Sequence, residues 1–311
     1  MQKIQFTAVR SDPKTSLQKH GDIMSENVKL NRELLRELQL KQLDMLVYFK
    51  NFCEKNNLRF FLFGGCLIGA VRHGGFIPWD DDIDVIMPRP DYEKLHKLWK
   101  EQERSDARFR LLRTDDKLFT GNIFTTLTDT NYTMVKANQT KYDIPHGLVM
   151  DIFPLDVCPD SRFARKMQYI WAMLYSLFLA QVVPENHGGL IGFGSKALLG
   201  VFRGKKIRTK IWRFAQKQMS KYRVEENKCL TELCAGPHWM KLEFPKHIYS
   251  KTQTVKFEGL EMPCMSGREE YLTMVFGDYM KLPPIEEQKP HHDIAYLDLN
   301  TPCDVYDSKR K

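Results

Sequence analysis

The chain has little of what a membrane-spanning protein needs. Its most apolar segment, residues 169–183, is fifteen residues long, against the roughly 20 that a bilayer span requires. It has no CxxC pair, and its seven cysteines (53, 66, 158, 229, 234, 264 and 303) are scattered and odd in number. That argues against a disulfide framework or a structural zinc site and for reduced thiols in the cytoplasm. The opening stretch MQKIQFTAVRSDPKTS has no apolar core of a secretion signal. Internal repeats are missing, and so is an aromatic-plus-basic module of the kind that reads RNA, so nucleic acid is not an expected partner.

What is present is positive charge, +8 from 47 Lys+Arg against 39 Asp+Glu. A surplus of this kind favours anionic partners and leaves fold undecided. At 311 residues one elaborated domain, or a core with a smaller helical annex, is expected. We divide the chain into a polar lead-in (1–24), a core (25–160), a predominantly helical insert (161–222) and a mixed C-terminal part (223–311). Within the core, leucines at helical spacing predict an amphipathic helix over 25–57, followed by a short strand LRFFLF, a Gly64-Gly65 break, a helix over 66–72 and a strand IDVIMP. A helix entered through Pro90 follows, then strands near 108–113, 122–128 and 132–136 and a long one at GLVMDIFPLD. The insert joins an apolar stretch to a basic cluster between Arg203 and Arg213, a combination that suits either peripheral contact with an anionic membrane or a packed helical pair with a solvated face.

The unusual stretch is FGGCLIGAVRHGGFIPWDDDIDVIMP, where Asp80, Asp81, Asp82 and Asp84 crowd the mouth of an apolar strand. Such carboxylates repel one another and lose hydration unless a cation compensates. In a strand, residues i and i+2 share a face, so Asp82 and Asp84 project together while Ile83 and Val85 enter the core. Paired carboxylates form a hard-oxygen site suited to Mg²⁺ or Mn²⁺. Asp151, flanked by apolar strand residues, is the expected third carboxylate, whereas Asp156, after Pro154, is expected to cap or turn. Gly64 and Gly65 let backbone amides approach a phosphate. Arg72 and His73 offer cations for developing phosphoryl charge, Trp79 a face for a base or a quaternary ammonium, and His292 a group reaching back to the site.

The Gly-Gly turn, the Asp-x-Asp strand and the later strand aspartate resemble the nucleotidyltransferase superfamily, an α+β fold with a polymerase-β-like mixed-sheet core, flanking helices and here a helical insert. The fuller strings GGCLIGAVRHGGFIPWDDDIDVIMPRPDYEKL, HGLVMDIFPLD, KLEFPKHIY and VKFEGLEMPCMSGREEYLTMVFGDYMKLPP resemble the LicD family of phosphorylcholine transferases, pneumococcal teichoic acid enzymes among them, over roughly residues 30–295. That resemblance implies metal-dependent transfer of phosphocholine from CDP-choline to a sugar hydroxyl of a lipid-linked cell-surface glycan of the teichoic acid or lipopolysaccharide type. CMP is released, and the protein works peripherally at the cytoplasmic face of the membrane. Asp82, Asp84 and Asp151 would hold the metal, and Asp151 could instead take the acceptor's proton. Nucleotidyl transfer to a small molecule or RNA end, transfer of a CDP-activated polyol phosphate, and a non-catalytic membrane scaffold are the competing readings.

Overall fold

A computed structural model describes residues 28–102, 107–181 and 190–308, so the polar lead-in lies outside the described residues. Helix α1 (Arg32–Lys55) starts where the Asn31 side chain accepts the Leu34 amide at 2.8 Å. It buries Leu35, Leu38, Met45, Leu46, Phe49 and Cys53 at intervals of three, four and seven, the stripe a core-facing helix requires. Two glutamines lie on the same buried face. Gln39 donates to the carbonyls of Ile77 and Asp80, and Gln42 to that of Asp81, so α1 grips the aspartate loop by its backbone.

Next come β1 (Phe61–Leu62), α2 (Gly64–His73), β2 (Asp84–Pro88) and α3 (Arg89–Gln102). They are followed by β3 (Phe109–Leu112), β4 (Thr125–Asp129), β5 (Thr133–Lys136) and β6 (Leu148–Cys158). Strand β1 is shorter than LRFFLF suggests because only Phe61 and Leu62 find partners, Ile86 and Val85. The Gly-Gly pair forms the first turn of α2 and does not precede it; Gly64 has φ +53°, a conformation that side chains other than glycine's adopt at a cost.

Helices α4 (Arg162–Ala180), α5 (Leu190–Val201) and α6 (Lys205–Met219) lead back to β7 (Cys229–Glu232) and β8 (Phe244–Pro245). The hairpin β9 (Thr252–Phe257) and β10 (Leu260–Met265), α7 (Arg268–Phe276), β11 (Ile294–Asp298) and α8 (Cys303–Ser308) complete the chain. The main sheet runs β1-β2-β6-β4-β3, with β7 joined to the far half of β6 and β8 to β7; β2 and β6 are parallel and the other pairs antiparallel. The protein is thus α+β with a mixed sheet, as expected.

Asp156 corrects one expectation. It neither caps nor turns, but lies buried inside β6, where Arg89 grips both its oxygens at 2.8 and 2.6 Å. Pro154 does not end the strand because its nitrogen faces a gap. The Asp151 amide donates to Ile83 on the β2 side, so alternation turns position 154 to the other side. There the chain has left β4 at Ile152 and first meets β7 at Leu155. A proline is tolerated where no ladder bond is asked of it.

Candidate active site

Asp84 opens β2 and is the direct register partner of Asp151 across the parallel β2–β6 ladder, so two carboxylates stand on adjacent strands about 4.8 Å apart at the backbone. Ile83 and Val85 are fully buried, as alternation requires. Asp82 lies just before the strand. The helix start makes room for this crowd: a Cβ on Gly65 would come within 2.8 Å of Asp80 Oδ2, and one on Gly64 within 3.7 Å of Asp84 Oδ2.

The far side of the site comes from the C-terminal part. Strand β11 pairs with β5, placing Ile294 opposite Lys136. That ribbon delivers both Lys136, whose Nζ is 3.4 Å from Asp151 Oδ2, and the His291-His292 pair. Asp81 is buried and accepts the backbone amides of His291 and His292 at 3.4 and 3.2 Å, while His292 Nδ1 lies 3.1 Å from its Oδ1. His292 Nε2 is 3.8 Å from Asp82 Oδ2. Asp81, Asp82 and His292 each present a ligand atom within 4.8 Å of the others, and among the described residues this is the one such group of three.

Electrostatics follow from crowding without water. Burial holds Asp84 well above the usual carboxylate range, and Asp82, Asp151 and Asp80 add to it. Asp80 is raised in the same way, by burial and then by Asp82. Burial also raises Asp82, with His292 opposing and Asp81 and Asp151 assisting. Asp81 goes the other way: burial would raise it, but the hydrogen bond from His292 and that ring's charge outweigh the penalty. Burial would discharge Lys136, yet the carboxylates of Asp151, Asp82 and Asp84 hold its proton more tightly than usual. Asp151 Oδ1 is buried with no hydrogen-bond partner, an acceptor aimed at something the protein itself does not supply.

These groups form one wall of a cavity of about 960 Å³. Asp82, Asp84, Lys136, Asp151 and His292 line its polar end, and Tyr169, Ile170, Met173, Leu174 and Leu177 of α4 line an apolar flank. Other expected site residues are not brought here. Gly64 and Gly65 back onto the carboxylates without lining the cavity. Arg72 and His73 end α2, about 12 Å along the helix axis from its glycines. The Arg72 guanidinium is occupied by the carbonyls of Tyr279 and Lys281, and Trp79 packs against the core, edge-on to His73. Sequence reading placed Asp81 in the acidic cluster without giving it a partner, and missed Lys136 and the two glutamines of α1; polar residues on an otherwise apolar helix face were the available signal for Gln39 and Gln42.

The sequence profile described as "LicD/FKTN/FKRP, nucleotidyltransferase domain" matches residues 57–167, which carry the Gly-Gly start of α2 and all the aspartates named above. The lipopolysaccharide cholinephosphotransferase LicD of Haemophilus influenzae is 32% identical over 273 residues, spanning 83% of this chain and 96% of that protein. The ribitol 5-phosphate transferase FKRP of mouse and human is 39% identical over 51 residues, 16% of this chain and 10% of theirs. An α+β transferase is the class so defined. The chain belongs to the LicD family.

Proposed function

We propose that the protein transfers phosphocholine from CDP-choline to a sugar hydroxyl of a cell-surface glycan precursor, releasing CMP, and that its core is the polymerase-β-like nucleotidyltransferase fold. The observation that carries this reading is the facing pair Asp84 and Asp151, neighboured by Asp82 and Lys136 at the polar end of a cavity large enough for a nucleotide donor. The name of the Haemophilus relative supports phosphocholine as the group moved and a lipopolysaccharide-type acceptor.

Mg²⁺ or Mn²⁺ fits the donor set, which is made of hard carboxylate oxygens with Asp151 Oδ1 buried and unpartnered. Asp82, Asp84 and Asp151 would hold the ion, with His292 adjacent. When bound it supplies neutralisation of phosphate charge. The chain's own groups do the rest. Lys136 keeps its proton and fixes the orientation of Asp151, and Asp81 pins the His292 ring beside Asp82. In the displacement, the acceptor oxygen bonds to the β-phosphorus and the bridging bond to CMP breaks, while a carboxylate of the cluster takes the hydroxyl proton.

The FKRP likeness favours one second reading, transfer of a CDP-activated polyol phosphate by the same groups. The test is to incubate the protein with Mg²⁺ and CDP-choline or CDP-ribitol, measure CMP with and without glycan acceptors, and weigh the acceptor by mass spectrometry. Phosphocholine on the acceptor is expected. Ribitol phosphate supports the second reading, and a nucleotide on the acceptor overturns both.

A further inference from the structure

The strongest unassigned feature lies at the elbow between α5 and α6. From Leu190 to Val224 the sequence has ten lysines and arginines and no acid, more positive charge than the whole chain's surplus of +8. Helix α6 buries Trp212, Ala215 and Met219 and turns Lys206, Lys210, Arg213 and Lys217 outward. Apolar side chains are exposed among these cations: Val201 at 74%, Ile207 at 49%, and Phe202 and Phe214 with them. The elbow is held in shape by two arginines, Arg203 donating to the Gly200 carbonyl at 2.6 Å. Arg208 donates to the carbonyls of Phe202 and Leu199 at 3.0 and 2.9 Å and to Gln181 Oε1 at 2.6 Å, so Val201 and Phe202 are presented on a braced turn.

We propose that this elbow is a docking edge for an anionic bilayer surface. A polyanion such as RNA would pair the cations but leave Val201, Phe202, Ile207 and Phe214 in water, whereas an interface takes both at once. The elbow also continues into the active cavity. Leu198, one turn before Val201, lines the cavity's apolar flank and is itself exposed, as is Ile170 across from it on α4. Resting on the proposed function, this deepens it: the docked elbow sets the side from which the acceptor enters, past Leu198 and Ile170.

The test is sedimentation of the full chain with vesicles of phosphatidylcholine plus phosphatidylglycerol, against phosphatidylcholine alone, with no donor or acceptor present. Binding to the anionic vesicles at low salt, released at high salt, is expected. Lys205→Gln, Lys206→Gln and Lys210→Gln together should weaken it on the order of a hundredfold, and Val201→Ser with Ile207→Ser should weaken it as well. All five positions are exposed, and an unchanged thermal melt shows that the variants are folded. CMP release from CDP-choline should be unaffected in both variants, so failure here is separable from failure of the proposed chemistry. Absence of vesicle binding at low salt overturns the proposal. Equal binding by the lysine variant does so too, as does binding to single-stranded RNA with no response to the apolar changes.

Discussion

Asp84→Asn removes one charge from the carboxylate cluster and almost no volume, and should move stability and activity in opposite directions. Two like charges about 5 Å apart repel by roughly 3 kcal/mol at an effective dielectric of 20. Asp84 has its cross-strand partner Asp151 at about that spacing, and Asp82 adds to the repulsion. Lys136 offsets part of this. A net gain of about 1–3 kcal/mol is therefore expected without metal, which for a chain of this length raises Tm by about 2–5 °C. The pH dependence has a fixed sign. Because burial and neighbours raise Asp84 in the folded state, the wild type's penalty is absent below the ordinary carboxylate range and grows as pH rises through it, and the variant's advantage must follow. Adding Mg²⁺ should reverse the order. A ligand at a thousand times its Kd stabilises the wild type by about 4.1 kcal/mol, and the variant should gain far less. CMP release should fall on the order of a hundredfold or more. Differential scanning fluorimetry across a pH and Mg²⁺ grid, with a CMP assay beside it, reads every arm. Full turnover in saturating Mg²⁺ would refute the site; a variant less stable than the wild type without metal would refute the repulsion argument.

Lys136→Met deletes the ammonium facing Asp151, Asp82 and Asp84, so stability should drop by about 3 kcal/mol in urea melts and turnover should fall with it; unchanged urea melts would mean that the carboxylates are already neutral. In Gly65→Ala the added methyl meets Asp80 Oδ2 at 2.8 Å and forces that carboxylate to swing, costing about 1–2 kcal/mol and weakening Mg²⁺ binding measured calorimetrically; a wild-type Mg²⁺ affinity would show the aspartate loop to be compliant. Burial, with Arg113 and Lys100 adding, pushes the His96 imidazole down to about 4, and its Nδ1 is buried without a partner. Its neutral form therefore stabilises the fold above the usual histidine value, and that contribution is lost as pH falls towards 4. His96→Gln should be less acid-sensitive than the wild type by about 1–2 kcal/mol, discounted for partial exposure, and parallel pH–stability curves would contradict this.

The parts of the site legible in sequence were those governed by local periodicity. Alternation alone sent Ile83 and Val85 inward and marked Asp151 as a charge that apolar neighbours could not explain. Asp81 and His292 meet across more than two hundred residues of chain, and Lys136 reaches Asp151 because β5 packs beside β6; neither contact leaves a short-range trace. Adjacency misled in the other direction. Arg72, His73 and Trp79 stand between the two halves of the motif in sequence, but a helix that begins at the carboxylates carries Arg72 and His73 away in its last turn, and Trp79 packs against the core edge-on to His73. For Asp156, proline was read as a terminator when a local gap in the ladder makes it harmless. Edge strand β1 came out short for a related reason, since strand length is set by what lies opposite.

Cys158 and Cys229 are register partners in the β6–β7 ladder, although the whole of α4, α5 and α6 lies between them. The chain thus departs from the sheet and returns to it at a single rung, with its ends at about the 5 Å spacing of any cross-strand pair. The first helix of that excursion is tied to the sheet, Gln168 donating to the Val157 carbonyl of β6 and Arg165 to Thr231 of β7, but the helices beyond it can lengthen or shorten without shifting a strand, because the excursion's two ends meet at one rung. The carboxylates, fixed on β2 and β6, would not register such a change, while Ser195 and Leu198, which α5 adds to the cavity wall, would move with it. The carboxylate cluster and the outer wall of the cavity can therefore diverge independently, the strands keeping the one while the outer helices reshape the other.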